Sequence, residues 1–167
     1  MYQALYRKYR PKTFDEVIGQ DVIVKTLKNS IKNNIVTHAY LLSGPRGTGK
    51  TSSARLLAKI LNCTDLQKDK NGLPDCCGVC DNCRRIEEMT FMEITDIDAA
   101  SNNGVDDIRQ MREQVKYKPA QGKYKIFIID EVHMLSGAAF NAFLKTLEEP
   151  PEKVIFVLAT TDPQKVP

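Results

Sequence analysis

The stretch LLSGPRGTGKTSSARLLAKIL, residues 41–61, restricts the fold more tightly than any other part of the chain. An apolar run enters a glycine-rich turn, meets Lys-Thr, and leaves as a helix. In that helix Ala54, Leu57, Ala58 and Leu61 repeat at i, i+3, i+4 and i+7. Gly44-Pro45-Arg46-Gly47-Thr48-Gly49-Lys50-Thr51 fits the pattern G-x-x-x-x-G-K-[ST]. Glycines let such a loop curl so that successive N–H groups face inward, and the helix start adds unpaired N–H groups and a positive dipole end. The spacing predicts a phosphate cradle over residues 44–52, with Ser52 in the first helical turn. Lys50 is expected to reach the β- and γ-phosphates of ATP, or the β-phosphate of ADP, and Thr51 to offer its hydroxyl to Mg²⁺.

The rest of the chain supplies the frame for such a loop. Ile23, Val24, Leu27 and Ile31 predict a helix from about Gln20 to Ile35, with Asp21 as its N-cap. HAYLLSG, FMEITDID, KIFIIDE and VIFVLATT read as four buried strands. Ile108, Met111 and Val115 predict a helix before the third strand, and Phe140, Phe143, Leu144 and Leu147 one before the fourth. Apolar strands alternating with helices imply a parallel sheet covered on both faces. Ligands bind beyond the carboxyl ends of such strands. The loop, the pair Asp130-Glu131 and the pair Thr160-Thr161 are all expected at those ends.

IIDE extends the chemistry from binding to hydrolysis. Asp130 is placed to hold the magnesium hydration shell, and Glu131 to orient and deprotonate an attacking water. Ions ending a buried strand are costly unless a cation or hydrogen bonds compensate. Thr161, or its neighbour Thr160, is expected between these motifs, bonded to water or the γ-phosphate. The catalytic set is therefore Lys50, Asp130, Glu131 and one of Thr160 and Thr161, with Thr51 and Asp130 on magnesium. A scaffold that binds nucleotide without turnover and a nucleoside-phosphate kinase with a zinc-bound lid are the competing readings. Glu131 speaks against the first, and the acidic pair is unexplained in the second.

Residues 62–84 break all periodicity and hold every cysteine. Cys77, Cys80 and Cys83 form two overlapping C-x2-C steps, with Cys63 fourteen residues upstream. That spacing predicts a structural Zn²⁺ on Cys63, Cys77, Cys80 and Cys83, which would fold a segment too polar for its own core. Cys76 is expected as a free thiol, though C-x3-C spacing would let it replace Cys77. Iron–sulfur motifs of this kind take a fourth cysteine shortly downstream with a proline after it, and none follows. His38 and His133 are read as structural. The tempting helicase box D-E-x-H at His133 lacks a second motor domain.

With 167 residues the chain is about one domain, 1–167, with the cysteine segment inside it. A net charge of +3 is too mild to prove a nucleic-acid partner. No apolar run is long enough to span a membrane, and the basic lead-in lacks a signal-peptide core, so a cytoplasmic location is expected. In that lead-in Lys8, Arg10 and Lys12 alternate with Tyr6, Tyr9 and Phe14.

YRPKTFDEVIGQ, GPRGTGKT, IDAASNNGVDDIR, IIDEVHMLSGAAFNAFLKTLEEPPE and LATTDPQKVP occur in this order. Together they closely resemble the bacterial DNA polymerase III gamma/tau family, the AAA+ ATPase motor of the sliding-clamp loader. The resemblance implies an α/β fold of the P-loop NTPase type (AAA+, RecA-like) with strand order 5-1-4-3-2. Arg10, Pro11, Ile18, Gly19 and Gln20 would form its adenine-side box, and Thr161 its first sensor. Ser101, Asn102 and Asn103 would open a helix facing template DNA. Implied partners are the delta and delta prime subunits, further gamma/tau copies, the sliding clamp and primer-template DNA. The family continues past DPQKVP with an arginine finger, a fifth strand and a helical lid. The chain is therefore expected to be an N-terminal module whose first strand is a sheet edge and whose own hydrolysis is slow.

Overall fold

A computed structural model describes Leu5 and residues 9–167; Tyr6 and Lys8 of the basic lead-in lie outside them. The chain divides into two compact units. Met1–Val36 with Arg55–Phe91 form one, and Thr37–Ala54 with Met92–Pro167 form the other.

The second unit is built on a four-stranded parallel sheet, β1 (Ala39–Ser43), β4 (Ile94–Asp98), β5 (Lys125–Asp130) and β6 (Val154–Thr160). Its order is β1-β6-β5-β4, the order implied by the resemblance when its fifth strand is left aside. Register sets Ser43 opposite Thr160, and Asp98 opposite Asp130. β6 is buried at every residue and β5 at its four central ones, as continuous Ile, Val and Phe runs demand. Helices α4 (Val105–Val115) and α5 (Gly137–Glu148) add Ile108, Met111, Val115, Phe140 and Phe143 to that core. Phe127 stacks on Phe156 with centroids 5.6 Å apart, and Phe143 meets Phe156 edge-on at 5.2 Å. Leu144 and Leu147, expected inward, are partly buried against the same cluster. β1 pairs only with β6 among the described residues, and Leu41 is 51% exposed, so the first strand is an edge as expected.

The first unit begins with α1 (Asp21–Lys32). Its N-cap is Gln20, without a side-chain cap bond, and not Asp21. Asp21 is instead the first helical residue, where a carboxylate still favours the dipole. Of the apolar stripe only Leu27 is buried, and the fully buried neighbour is Lys28. Helix α2 (Lys50–Asn62) runs out of the glycine loop, with Ala54, Leu57, Ala58 and Leu61 all buried. The segment read as aperiodic holds a short antiparallel pair, β2 (Gln67–Lys68) with β3 (Pro74–Asp75), and helix α3 (Asp81–Glu87).

Lys28 explains why that segment is ordered with so little apolar surface. Its ammonium lies 2.8 Å from Asp15, 2.8 Å from Asp69 and 2.9 Å from Asp75. Burial alone would pull the ammonium toward neutrality. The hydrogen bonds from Asp15, Asp69 and Asp75 outweigh it and hold the pKa above the ordinary lysine value. The carboxylates also organise backbone. Asp75 accepts from the N–H groups of Phe14, Asp15 and Cys76, and Asp69 from those of Asn71 and Leu73.

Candidate functional site

The glycine loop leaves β1 at Gly44, whose N–H donates to the carbonyl of Thr160 at 3.2 Å. Gly47 and Gly49 have φ of +79° and +82°, which a side chain would strain. The Lys50 ammonium curls back over the loop. It donates to the carbonyls of Gly44 and Pro45, each at 2.8 Å. Two of its three N–H groups are thus used, and one remains for a ligand. Thr48 closes the turn by donating to Pro45 O at 2.8 Å. Arg46 is exposed at the loop tip, and Ser52 and Thr51 are partly buried in the first turn of α2.

At the end of β5 the sheet unit brings in its acids. Thr51 Oγ1 donates to Asp130 Oδ2 at 2.6 Å, the short distance of a hydroxyl bonded to a charged carboxylate. Residues 79 positions apart in sequence are therefore one pair. Glu131 follows in the left-handed region, φ +51° and ψ +46°. For a residue with a Cβ this costs about 1–3 kcal/mol, and such strain clusters at functional sites. The turn Val132–Met134 supports it, with Met134 N–H on Glu131 O at 2.8 Å. The Glu131 carboxylate accepts from Thr161 Oγ1 at 3.0 Å. Of the two threonines it is Thr161 that touches Glu131; Thr160 is fully buried and bonds His133 Nδ1 at 2.8 Å.

Lys50, Thr51, Asp130, Glu131 and Thr161 thus lie in the sheet unit with the glycine loop, at the carboxyl ends of β1, β5 and β6. Arg10, Pro11, Ile18, Gly19 and Gln20 belong to the other unit. There Ile18 is 95% exposed, and Gly19 has φ of +79° with open space where a Cβ would stand. Ser101 and Asn102 do not begin a helix. Gly104 is the N-cap of α4, Ser101 Oγ donates to an Asp98 carboxylate oxygen at 3.2 Å, and the Asn102 amide donates to the Asp98 carbonyl at 3.1 Å. Local turn formation is the role these side chains have in this structure.

The first unit holds the second candidate centre. The sulfurs of Cys63, Cys77, Cys80 and Cys83 all lie within 4.8 Å of one another. Cys63 and Cys77 are 3.5 Å apart, and Cys63 and Cys80 are 4.0 Å apart. A tetrahedral ion with metal–sulfur bonds of ~2.3 Å needs sulfurs about 3.8 Å apart, so the set fits. Backbone N–H groups of Cys77, Val79, Cys80 and Cys83 point at these sulfurs. Gly78, with φ +71°, lets the chain turn between them. Burial pushes the Cys63 thiol up to about 12. For Cys80 burial acts the same way, but hydrogen bonds with Thr64 and Cys83 outweigh it and bring the thiol down to about 6. A hydrogen bond with Cys76, together with burial, raises Cys83. Without a cation the four sulfurs cannot all be thiolates, which is what a metal would change. Cys76 stands outside the set, buried, with its thiol on Lys12 O at 3.5 Å.

Two groups here carry little signal in sequence. Lys28 is one of three lysines in α1, and its three aspartates are scattered over sixty residues. His133 was legible only as part of D-E-x-H.

Comparison with known proteins bears on the family and the fold. A family described as DNA polymerase III, delta subunit, matches residues 19–167. DNA polymerase III subunit tau of Bacillus subtilis is 54% identical over 166 residues, covering 99% of this chain and 29% of the relative. Subunit tau of Escherichia coli is 55% identical over 166 residues, covering 99% and 25%. The chain therefore spans little more than a quarter of the length of these relatives. Among solved structures, a DNA polymerase III gamma subunit-related protein of Thermotoga maritima superposes with a TM-score of 0.60 at 24% identity, covering 84% of this chain and 40% of that one. The RuvB Holliday junction branch migration motor of Thermotoga maritima gives 0.58 at 22% identity, covering 92% and 42%. At these identities the two structures speak for the fold alone. No helix among the described residues is long and apolar enough to cross a membrane.

Proposed function

The chain belongs to the DNA polymerase III family described as its delta subunit and is similar along its length to tau subunits, and on that premise we propose that it is the ATP-binding and hydrolysing module of a clamp-loader motor. The observation that carries this reading is the 2.6 Å bond between Thr51 Oγ1 and Asp130 Oδ2, beside a loop that already holds the Lys50 ammonium. A hydroxyl and a carboxylate joined at the mouth of a phosphate loop are the two protein groups that hold Mg²⁺ in such sites.

In this proposal the loop N–H groups between Gly44 and Ser52 bind the β- and γ-phosphates, and Lys50 donates its remaining N–H to them. Magnesium, when bound, neutralises phosphate charge. Glu131 takes a proton from the attacking water, and Thr161 releases Glu131 to meet the γ-phosphate or that water. Arg10, Pro11, Ile18 and Gly19 recognise the base, an assignment that rests on family resemblance. Cys63, Cys77, Cys80 and Cys83 hold Zn²⁺ as a structural ion, since four thiolates leave no open position for chemistry. ATP binding favours the clamp-opening assembly with delta, delta prime and further gamma/tau copies on primer-template DNA, and hydrolysis releases the clamp.

Titration of the protein with ATP and magnesium tests the reading. Lys50→Ala is expected to abolish uptake. Glu131→Gln is expected to keep uptake and lower turnover by about a hundredfold or more, the scale of a general base. Uptake untouched by Lys50→Ala would remove the phosphate-loop reading. Turnover untouched by Glu131→Gln would leave a scaffold that binds without hydrolysing.

A further inference from the structure

We propose that His133 is a positioning residue for Glu131, tying its carboxylate to the buried end of β6 through Thr160. This rests on the reading of Glu131 as the base that activates water.

The geometry is a short chain of contacts within the sheet unit. His133 Nδ1 lies 2.8 Å from Thr160 Oγ1 and 3.5 Å from Glu131 Oε2. The same Glu131 oxygen accepts from Thr161 Oγ1 at 3.0 Å. Glu131 is thus approached from both Thr160, which ends β6, and Thr161 just beyond it, directly by Thr161 and by way of the imidazole from Thr160. Thr160 is a fixed point. It is completely buried, paired in register with Ser43 at the root of the phosphate loop, and its hydroxyl oxygen accepts from Asp162 N–H at 3.0 Å.

The neighbours also select the tautomer. An imidazole lone pair on Nδ1 would face a carboxylate oxygen at 3.5 Å, which is repulsive. An Nδ1–H donates to Thr160 Oγ1 and draws the Glu131 carboxylate with its positive end. With its proton on Nδ1 His133 donates to Thr160, and its side chain is only 11% exposed, so water competes weakly for that bond.

The consequence concerns what happens when Thr161 lets go. Glu131 sits in a strained left-handed conformation, and its side chain has many rotamers once unbonded. If Thr161 were its sole partner, turning Thr161 toward a phosphate would free the carboxylate to wander. His133 keeps a second hold, anchored to the strand that also borders the loop. A misplacement of catalytic groups by about 1 Å can cost up to a hundredfold in rate, so this hold is worth having.

Single-turnover hydrolysis and ATP affinity of the full-length protein test the proposal with H133A, H133N, H133Q, E131Q and the double variant H133A/E131Q. H133A is expected to lower the rate about tenfold while leaving ATP affinity within about twofold. H133N is expected to recover most of the rate, because its side-chain amide can present N–H where Nδ1 was. H133Q, which reaches to the Nε2 position, is expected to stay low. In the E131Q background H133A is expected to add less than about twofold, since the group it positions is gone. A full tenfold loss in that background, an unchanged H133A rate, or equal rescue by H133N and H133Q would each overturn the proposal and leave Glu131 as the base. An E131Q rate equal to the parent would overturn the hydrolytic reading, and this inference with it.

Discussion

Along β6 every residue from Val154 to Thr160 is buried, and the strand's only polar side chain is the threonine at its end. Between residues 63 and 84 the buried apolar side chains are Leu73, Cys76 and Cys83 alone. The sheet unit is held by stacked Phe127, Phe156 and Phe143, and its polar groups stand at strand ends where a ligand can use them. The cysteine segment is held by a buried ammonium among three carboxylates and by four converging sulfurs. The lesson is that one chain contains two kinds of stability. Burial of hydrocarbon is indifferent to pH and chelators; ion pairs answer to pH, and a metal held by these sulfurs would answer to both.

Chelation should separate the two most sharply. Metal removal is expected to strip amide-exchange protection from residues 63–87 while β5 and β6 keep theirs. Uniform protection before and after would show that the sulfurs do not depend on a metal, and the contrast would fail. Lys28→Met comes next. It leaves carboxylates that are 3% and 6% exposed without their cation, and a loss of about 3–5 kcal/mol in urea unfolding is expected. The pH dependence of this cluster follows from its shifts. Burial raises the Asp69 carboxyl, but the Lys28 bond and the N–H groups of Leu73 and Asn71 outweigh it and hold the pKa below the ordinary value. Its stabilisation is present above the unfolded aspartate value of about 3.9 and is lost as pH falls through the lower folded one. Lys28 is raised, so its share is present below the unfolded lysine value of about 10.4 and fades only above it. Acid below about pH 4 should therefore loosen β2–β3 before it touches the sheet, as hydrogen exchange would report. The smallest effect sharpens the other side. Ser136→Ala removes the cap on Ala139 N–H at the start of α5 and should cost about 1 kcal/mol, with the cysteine segment unaffected. A change there as large as that of Lys28→Met would mean that the sheet unit also leans on single polar contacts.

The same difference decides what could be read without coordinates. Strands β5 and β6, the helix after the glycine loop, and the meeting of Lys50, Thr51, Asp130 and Glu131 at strand ends were legible because periodicity and one spaced motif encode them. The choice of Thr161 over Thr160 was left open by the residues, since both hydroxyls end the same strand. Resemblance named Thr161; in the structure Thr161 bonds Glu131 and Thr160 bonds His133. The Asp21 cap failed because the helix begins at Asp21 itself, one residue past the position from which a side chain caps. Lys28 with Asp15, Asp69 and Asp75 was invisible. A buried ion pair has no period, and its partners meet only after the hairpin closes. His133 was half visible, as a letter in a motif whose geometry resides in Thr160.

Among the described residues the outer margin of β1, the strand that feeds the phosphate loop, pairs with no other strand. Any extended segment that zips onto it would stiffen Tyr40 to Ser43 and, one residue later, the root of the nucleotide cradle. Assembly and nucleotide grip would then share a single hinge, at Gly44.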